Sequence, residues 1–235
     1  MHILEETIPV NEQFAYFNYS KKLREDQSLK DIKSEELIST LFTPDLPIGE
    51  KQRCLSLLAG IPDVAAYRAI ETYHSSPQEP ELSNWSAMAL LESRIVLNSD
   101  LTGEKQIFVS TGLGGHNGKL RYFFVIANRI KEPLNELQCE IIEREFRYQF
   151  DSLKIDIEDI RNEGNYFTFL ILADLEIDIQ KLIDDIVKEC NQYGNFISDM
   201  VLLTNAKILF REEIERLLQR AEDKPTDDEV PTIEI

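Results

Sequence analysis

Between Thr111 and Phe124 the chain reads TGLGGHNGKLRYFF. Glycine, lysine and histidine together are the residue types that grip phosphate. Glycine lets main-chain N–H groups come close to an anion, and lysine supplies the charge. A Walker-type loop needs a glycine, four residues, then Gly-Lys-Ser/Thr, between a strand and a helix. Here five residues separate Gly112 from Gly118, and Leu120 stands where the magnesium-holding hydroxyl would be. The residues after Lys119 read as a strand, so no helix N-terminus contributes its free N–H groups. The dinucleotide pattern G-x-G-x-x-G fails too, because Asn117 occupies the third glycine position after Gly112 and Gly114. The remaining reading is a β-hairpin connection from Leu113 to Lys119, with Asn117-Gly118 as a strong turn dipeptide. Yet four glycines exceed what one tight turn needs, and His116, Lys119 and Arg121 form a local basic spot. Gly112, Gly114, Gly115, His116, Asn117, Gly118, Lys119 and Arg121 are therefore the candidate binding surface, for a small anion, a nucleotide or an acidic partner segment.

Other residues that could do chemistry are sparse. Glu71 and His74 have the E-x-x-H spacing of carboxylate metal sites, but such sites need a second copy, which the chain lacks. His2 stands at the start. The three cysteines, Cys54, Cys139 and Cys190, are far apart and form no C-x-x-C pair, so they read as buried reduced thiols. No G-x-S-x-G or H-E-x-x-H occurs. The expectation is a chain without catalytic residues, metal or cofactor, and not an enzyme.

The whole chain frames these residues. It has 235 residues, 43% of them hydrophobic, enough to bury a core. Its 43 acids against 25 basic residues give a net charge of −18, which repels phosphate backbones and anionic lipid at long range. Nucleic acid is thus a disfavoured partner. The N-terminal MHILEETIPVNEQFAYF lacks the basic-then-apolar pattern of a secretory signal, and no run reaches the roughly 18 apolar residues of a membrane span. The expected location is the cytoplasm, without membrane insertion.

Periodicity divides the chain at about residue 100. Residues 1–34 read as a polar arm, and 35–100 as a helical domain, either a small antiparallel bundle or HEAT-like pairs. Helices are expected over 35–43, 50–59 and from Pro62, where Val64, Tyr67, Ile70 and Tyr73 recur every three residues. Another starts at Asn84 as its cap and carries Trp85, Met88, Leu91 and Ile95. Residues 104–222 switch to strands and helices. Strands are expected at QIFVST (106–111), LRYFFVIAN (120–128), around 155–160, at YFTFLILADL (166–175) and from Met200. Helices are expected at 134–153, 178–193 and 210–221. The tail 223–235 is acidic and reads as disordered, with Val230 to Ile235 as a possible docking peptide.

From 120 to 205 the order is strand, helix, strand, strand, helix, strand. Over these roughly 85 residues the α+β pattern resembles the ferredoxin-like, or split βαβ, arrangement. The resemblance is of fold only and implies no activity. One version of that fold stacks RNA bases on strand aromatics, and Tyr122, Phe123, Phe124, Tyr166, Phe167 and Phe169 stand on the corresponding strands. However, both faces of these strands are apolar, which implies cover on both sides, by the helical half or by a second copy. The resulting expectation is an interaction or adaptor protein acting through protein–protein contacts, as a homo-oligomer or a subunit of an assembly. The alternative is a ligand-sensing domain that uses Gly112–Lys119.

Overall fold

The computed structural model describes residues 2–26 and 32–220. The acidic tail and its apolar end, expected at 223–235, lie outside the described residues. The chain mixes helices with a curled antiparallel sheet, as the α+β reading anticipates.

The N-terminal half is built from helices α1 (Val10–Glu25), α2 (Ser34–Leu41), α3 (Ile48–Ala59), α4 (Val64–Ser75) and α5 (Ser83–Thr102). The stretch expected as a polar arm divides in two. Residues 2–9 run mostly extended, and α1 packs into the helical core through Tyr16. Its polar composition hid it: the buried residues of α1 are Gln13, Tyr16 and Ser20, a stripe at helical spacing with almost no hydrocarbon. On α4 the inward face is Ala66, Ala69, Ile70 and Tyr73, so of the every-third series Ile70 and Tyr73 are buried and Val64 is exposed. Steps of three drift about 60° per step around a helix, so Val64 ends opposite Tyr73. Asp63, rather than a proline, caps this helix by accepting from the Ala65 N–H. Helix α5 is central, with Ser86, Ala87, Met88, Ala89, Leu91, Glu92 and Ser93 all buried. Its start is set by the 3₁₀ turn Pro80–Leu82; Asn84, expected as the cap, instead donates to Glu12 on α1.

The second half is a five-stranded sheet. Strands β3 (Gly115–His116), β4 (Lys119–Asn128), β5 (Asp156–Asn162), β6 (Tyr166–Ala173) and β7 (Ile197–Thr204) pair antiparallel throughout. Central β4 pairs with β6 on one side, and β6 pairs with β5 at the rim. On its other side β4 pairs first with β3 and then with β7. Helices α6 (Glu136–Ser152) and α7 (Ile179–Asn191) connect the strands. Asn135 and Gln138 form a reciprocal capping box that fixes the start of α6. Both helices cover the face carrying Phe124, Ile126, Phe167 and Phe169. There the Phe124 and Phe169 rings stack at 4.5 Å, and Phe146 from α6 lies 4.7 Å from Phe169.

The opposite face holds Phe123, Val125, Ala127 and Tyr166. Its cover comes from Ile214 and Leu218 of α8 (Arg211–Arg220), Leu209 before it, and Leu113 from the glycine stretch. The aromatics that could have formed a base-stacking platform are thus inside two cores.

The hairpin expected between QIFVST and LRYFFVIAN takes another form. Only Phe108–Val109 is strand (β2), and it pairs in parallel with β1 (His2–Ile3). The tight turn instead joins β3 to β4 through Asn117 and Gly118, both with positive φ, as a primed hairpin turn requires.

Candidate functional site

The glycine stretch lies where the extended arm, the sheet and the end of β7 meet. The arm enters by pairing β1 with β2, with the Leu4 N–H donating to the Val109 carbonyl at 3.0 Å. Its Leu4 and Ile8 side chains are buried in the helical core. Between them the arm crosses the glycines. The Gly115 N–H donates to the Glu5 carbonyl at 3.2 Å, and Thr7 Oγ1 donates to the Leu113 carbonyl at 3.2 Å. From below, the Leu113 N–H donates to the Asn205 carbonyl at 2.9 Å. Buried Gln13 joins the two strata, with Nε2 donating to Ile8 O at 2.8 Å and Thr111 O at 3.0 Å.

This crossing accounts for the glycines. A Cβ on Gly112 would sit 1.8 Å from the Ala206 carbonyl oxygen, and one on Gly114, at φ +65°, would sit 2.4 Å from that of Glu6. On Gly115 a Cβ would lie 2.1 Å from the Lys119 carbonyl oxygen. Only Gly118, at φ +81°, has open space and serves the turn alone. Three backbones pass at van der Waals contact, and side chains are excluded between them.

The basic residues of the stretch face acids of the chain itself. Lys119 Nζ is 2.8 Å from Asp156, and Arg121 holds Glu158 through Nη2 at 2.8 Å while Nη1 donates to Leu113 O at 2.6 Å. Glu158 raises the Arg121 pKa from its ordinary value. His116 lies 3.7 Å from Glu5, with both side chains more than half exposed. The sequence suggested a basic spot because these acids are 37 residues downstream of the cations, across the sheet on β5.

Two hollows flank this sheet. The first, of about 320 Å³, borders the glycine stretch itself and is lined by Val10, Phe14, Phe17, Gln13, Ser110–Gly112, Asn205 and Ala206. None of its lining residues is charged. Phe14 is 54% exposed at its edge, and the Phe17 and Phe108 rings lie tilted with centroids 5.4 Å apart. The second, of about 360 Å³, lies at the far end of β4 and β7 beside α8 and is lined partly by Arg129, Lys131, Asp199 and Glu215.

One further set of residues escaped the sequence reading. Glu6, His74 and Ser86 form a carboxylate–imidazole–hydroxyl line, with Nε2 of His74 3.3 Å from Glu6 and Nδ1 3.0 Å from Ser86 Oγ. The hydrogen bond to His74 holds the Glu6 carboxyl below its ordinary range. Ser86 is fully buried and donates to Ser83 O at 2.8 Å, so its hydroxyl is committed inside α5. The line fastens the arm to α4 and α5. Glu71, the other half of the E-x-x-H pair, turns away to Arg68 and Tyr67. Among the described residues no group of His, Cys, Asp and Glu could hold a metal ion. Cys54 and Cys190 are buried free thiols and Cys139 is half-buried; burial pushes Cys190 up to about 12. Among the described residues no helix is long and apolar enough to cross a membrane.

No protein-family model matches the chain, and no curated protein matches it. Among solved structures it is similar to one from Deinococcus radiodurans R1 described as a "putative transposase", at 12% identity and a TM-score of 0.35, covering 46% of this chain and 93% of that one. That name is an enzyme's, which contradicts the expectation of a non-enzymatic chain, and the expectation is withdrawn. At this level the likeness assigns neither a reaction nor a residue to the present chain.

Proposed function

We propose that the chain is a protein-binding unit whose contact surface is the uncharged hollow between α1, the glycine stretch and the segment after β7. The observation that carries this reading is the hollow itself. On a chain of net charge −18, about 320 Å³ is lined only by apolar, amide and hydroxyl side chains and by peptide groups, with Phe14 standing half-exposed at its rim. Such a surface suits an apolar side chain on a partner segment. The acidic remainder of the surface favours encounter with a basic partner. The occupied cations of the glycine stretch support a contact surface over an anion grip.

The sheet is proposed to be of the ferredoxin-like kind. The order of β4, α6, β5, β6, α7 and β7, with β7 and β6 flanking β4 and β5 outside β6, supports that assignment. The five N-terminal helices share one core, which supports a bundle over stacked HEAT-like pairs.

The test is affinity capture from the native cell with the wild-type chain and Phe14→Glu, read by mass spectrometry. A partner recovered with the wild type and lost with the variant is the expected result. An identical set of recovered proteins from both would overturn the assignment of the hollow.

A further inference from the structure

We propose that β7 is a dimerisation edge, at which a second copy of this chain extends the sheet by antiparallel pairing of β7 with itself. The two rims of the sheet are made differently. Both carry a register shift, β5 between Ile157 and Asp159 and β7 where it meets Ile126 and Asn128 of β4, but rim strand β5 reads DIEDIRN, and its charges discourage further pairing. Strand β7 reads ISDMVLLT, and its continuous run Met200–Thr204 holds no charge, no proline and no lysine. Among the described residues β7 pairs with β4 alone, so its outer main-chain N–H and C=O groups face no strand. Its residues from Met200 to Thr204 are all partly exposed.

Charge limits where a second copy can pair. Two copies of a chain carrying −18 repel over most of their surfaces, so self-association needs a strip free of acids. Strand β7 supplies one in its run Met200–Thr204. Its single acid, Asp199, is bound by Arg129 through two nitrogens at 2.7 and 2.8 Å, and this partner holds its carboxyl below the ordinary range. A two-fold pairing centred on Leu202 sets Asp199 against Asn205 of the partner subunit and Val201 against Leu203 of the partner subunit, so like charges do not meet. Identical antiparallel strands are self-complementary by symmetry, and no other protein is needed to satisfy them. This inference stands on β7, and of the residues it pairs only Asn205 also lines the hollow beside Phe14.

Sedimentation velocity of the full chain over a concentration series tests it, with Met200→Lys and Met200→Leu beside the wild type. The wild type and Met200→Leu are expected at twice the 27.2 kDa chain mass, and Met200→Lys at the single mass with an unchanged circular dichroism spectrum. Hydrogen exchange on the wild type provides a readout free of substitutions: β7 amides pointing away from β4 are expected to lose protection on dilution. A wild type that stays at the single mass throughout, or β7 amides whose exchange ignores concentration, overturns the proposal. Phe14→Glu is expected to leave the dimer intact, which separates this failure from failure of the binding hollow.

Discussion

At the scale of single residues, the glycines separate by what surrounds them. Gly118→Ala adds a methyl in open space and costs only its left-handed backbone, about 1 kcal/mol. Gly114→Ala has the same backbone cost and also drives a carbon into two arm carbonyls, at 2.4 and 2.5 Å, so a loss of roughly 3 kcal/mol or more is expected in urea denaturation. Equal losses for both variants would contradict the crossing described for the arm. Glu6 supplies a pH dependence. Its folded-state pKa is depressed by His74, so its contribution is present above the ordinary glutamate value and disappears as pH falls through the folded value. Thermal melts should therefore show the wild type above Glu6→Gln at neutral pH, with the gap closing below about pH 4. A gap independent of pH would mean the carboxylate does not act through its charge. These interactions were not legible in sequence, because nothing near Glu6 announces His74 or Ser86, which are brought to it by two other helices.

At the scale of elements, the long strands β4 and β6 could be read from their apolar runs and α7 from its buried stripe Ile179, Ile183, Ile186, Val187 and Cys190, whereas QIFVST shrinks to Phe108–Val109 and β3 was not read. Helix α1 was harder, because a polar network rather than an apolar stripe binds it to α5. Buried Glu92 on α5 accepts from Tyr16 at 2.6 Å and Ser20 at 3.0 Å, and also pairs with Arg24, all three on α1. Burial and this carboxylate keep the Tyr16 phenol well above its usual range. Glu92→Leu strands two buried hydroxyls and is expected to cost about 2–4 kcal/mol by chemical denaturation. A neutral result would mean that packing alone docks α1. On the other side of the molecule, Ile214 is the one fully buried anchor in α8. Ile214→Ala should cost about 2–4 kcal/mol and raise dye binding to the uncovered β4 face. The sequence showed that this face needed cover but could not show that α8, Leu209 and Leu113 supply it, because which segment folds over which face is a property of topology.

At the scale of the whole molecule, the switch from helices to a mix of strands and helices was legible as a change of period near residue 100, and the glycine stretch as the unusual feature. What spacing could not convey is that the stretch is unusual because three separated backbones cross there, at residues 5–7, 112–115 and 205–206. The arm carries a consequence for synthesis. Thr7 and the Leu113 carbonyl that receives its hydroxyl are 106 residues apart. At roughly 5–20 residues per second, a growing chain makes the arm several seconds before its bed exists. The helical half can condense around α5 in that interval, but the seats of Leu4 and Ile8 must stay unsealed until the β3–β4 turn emerges. Refolding of the intact chain should thus show a late step that Gly114→Ala slows and Gly118→Ala leaves largely unchanged, measurable by stopped-flow fluorescence of Trp85, which packs against Tyr16 and Tyr19 of α1.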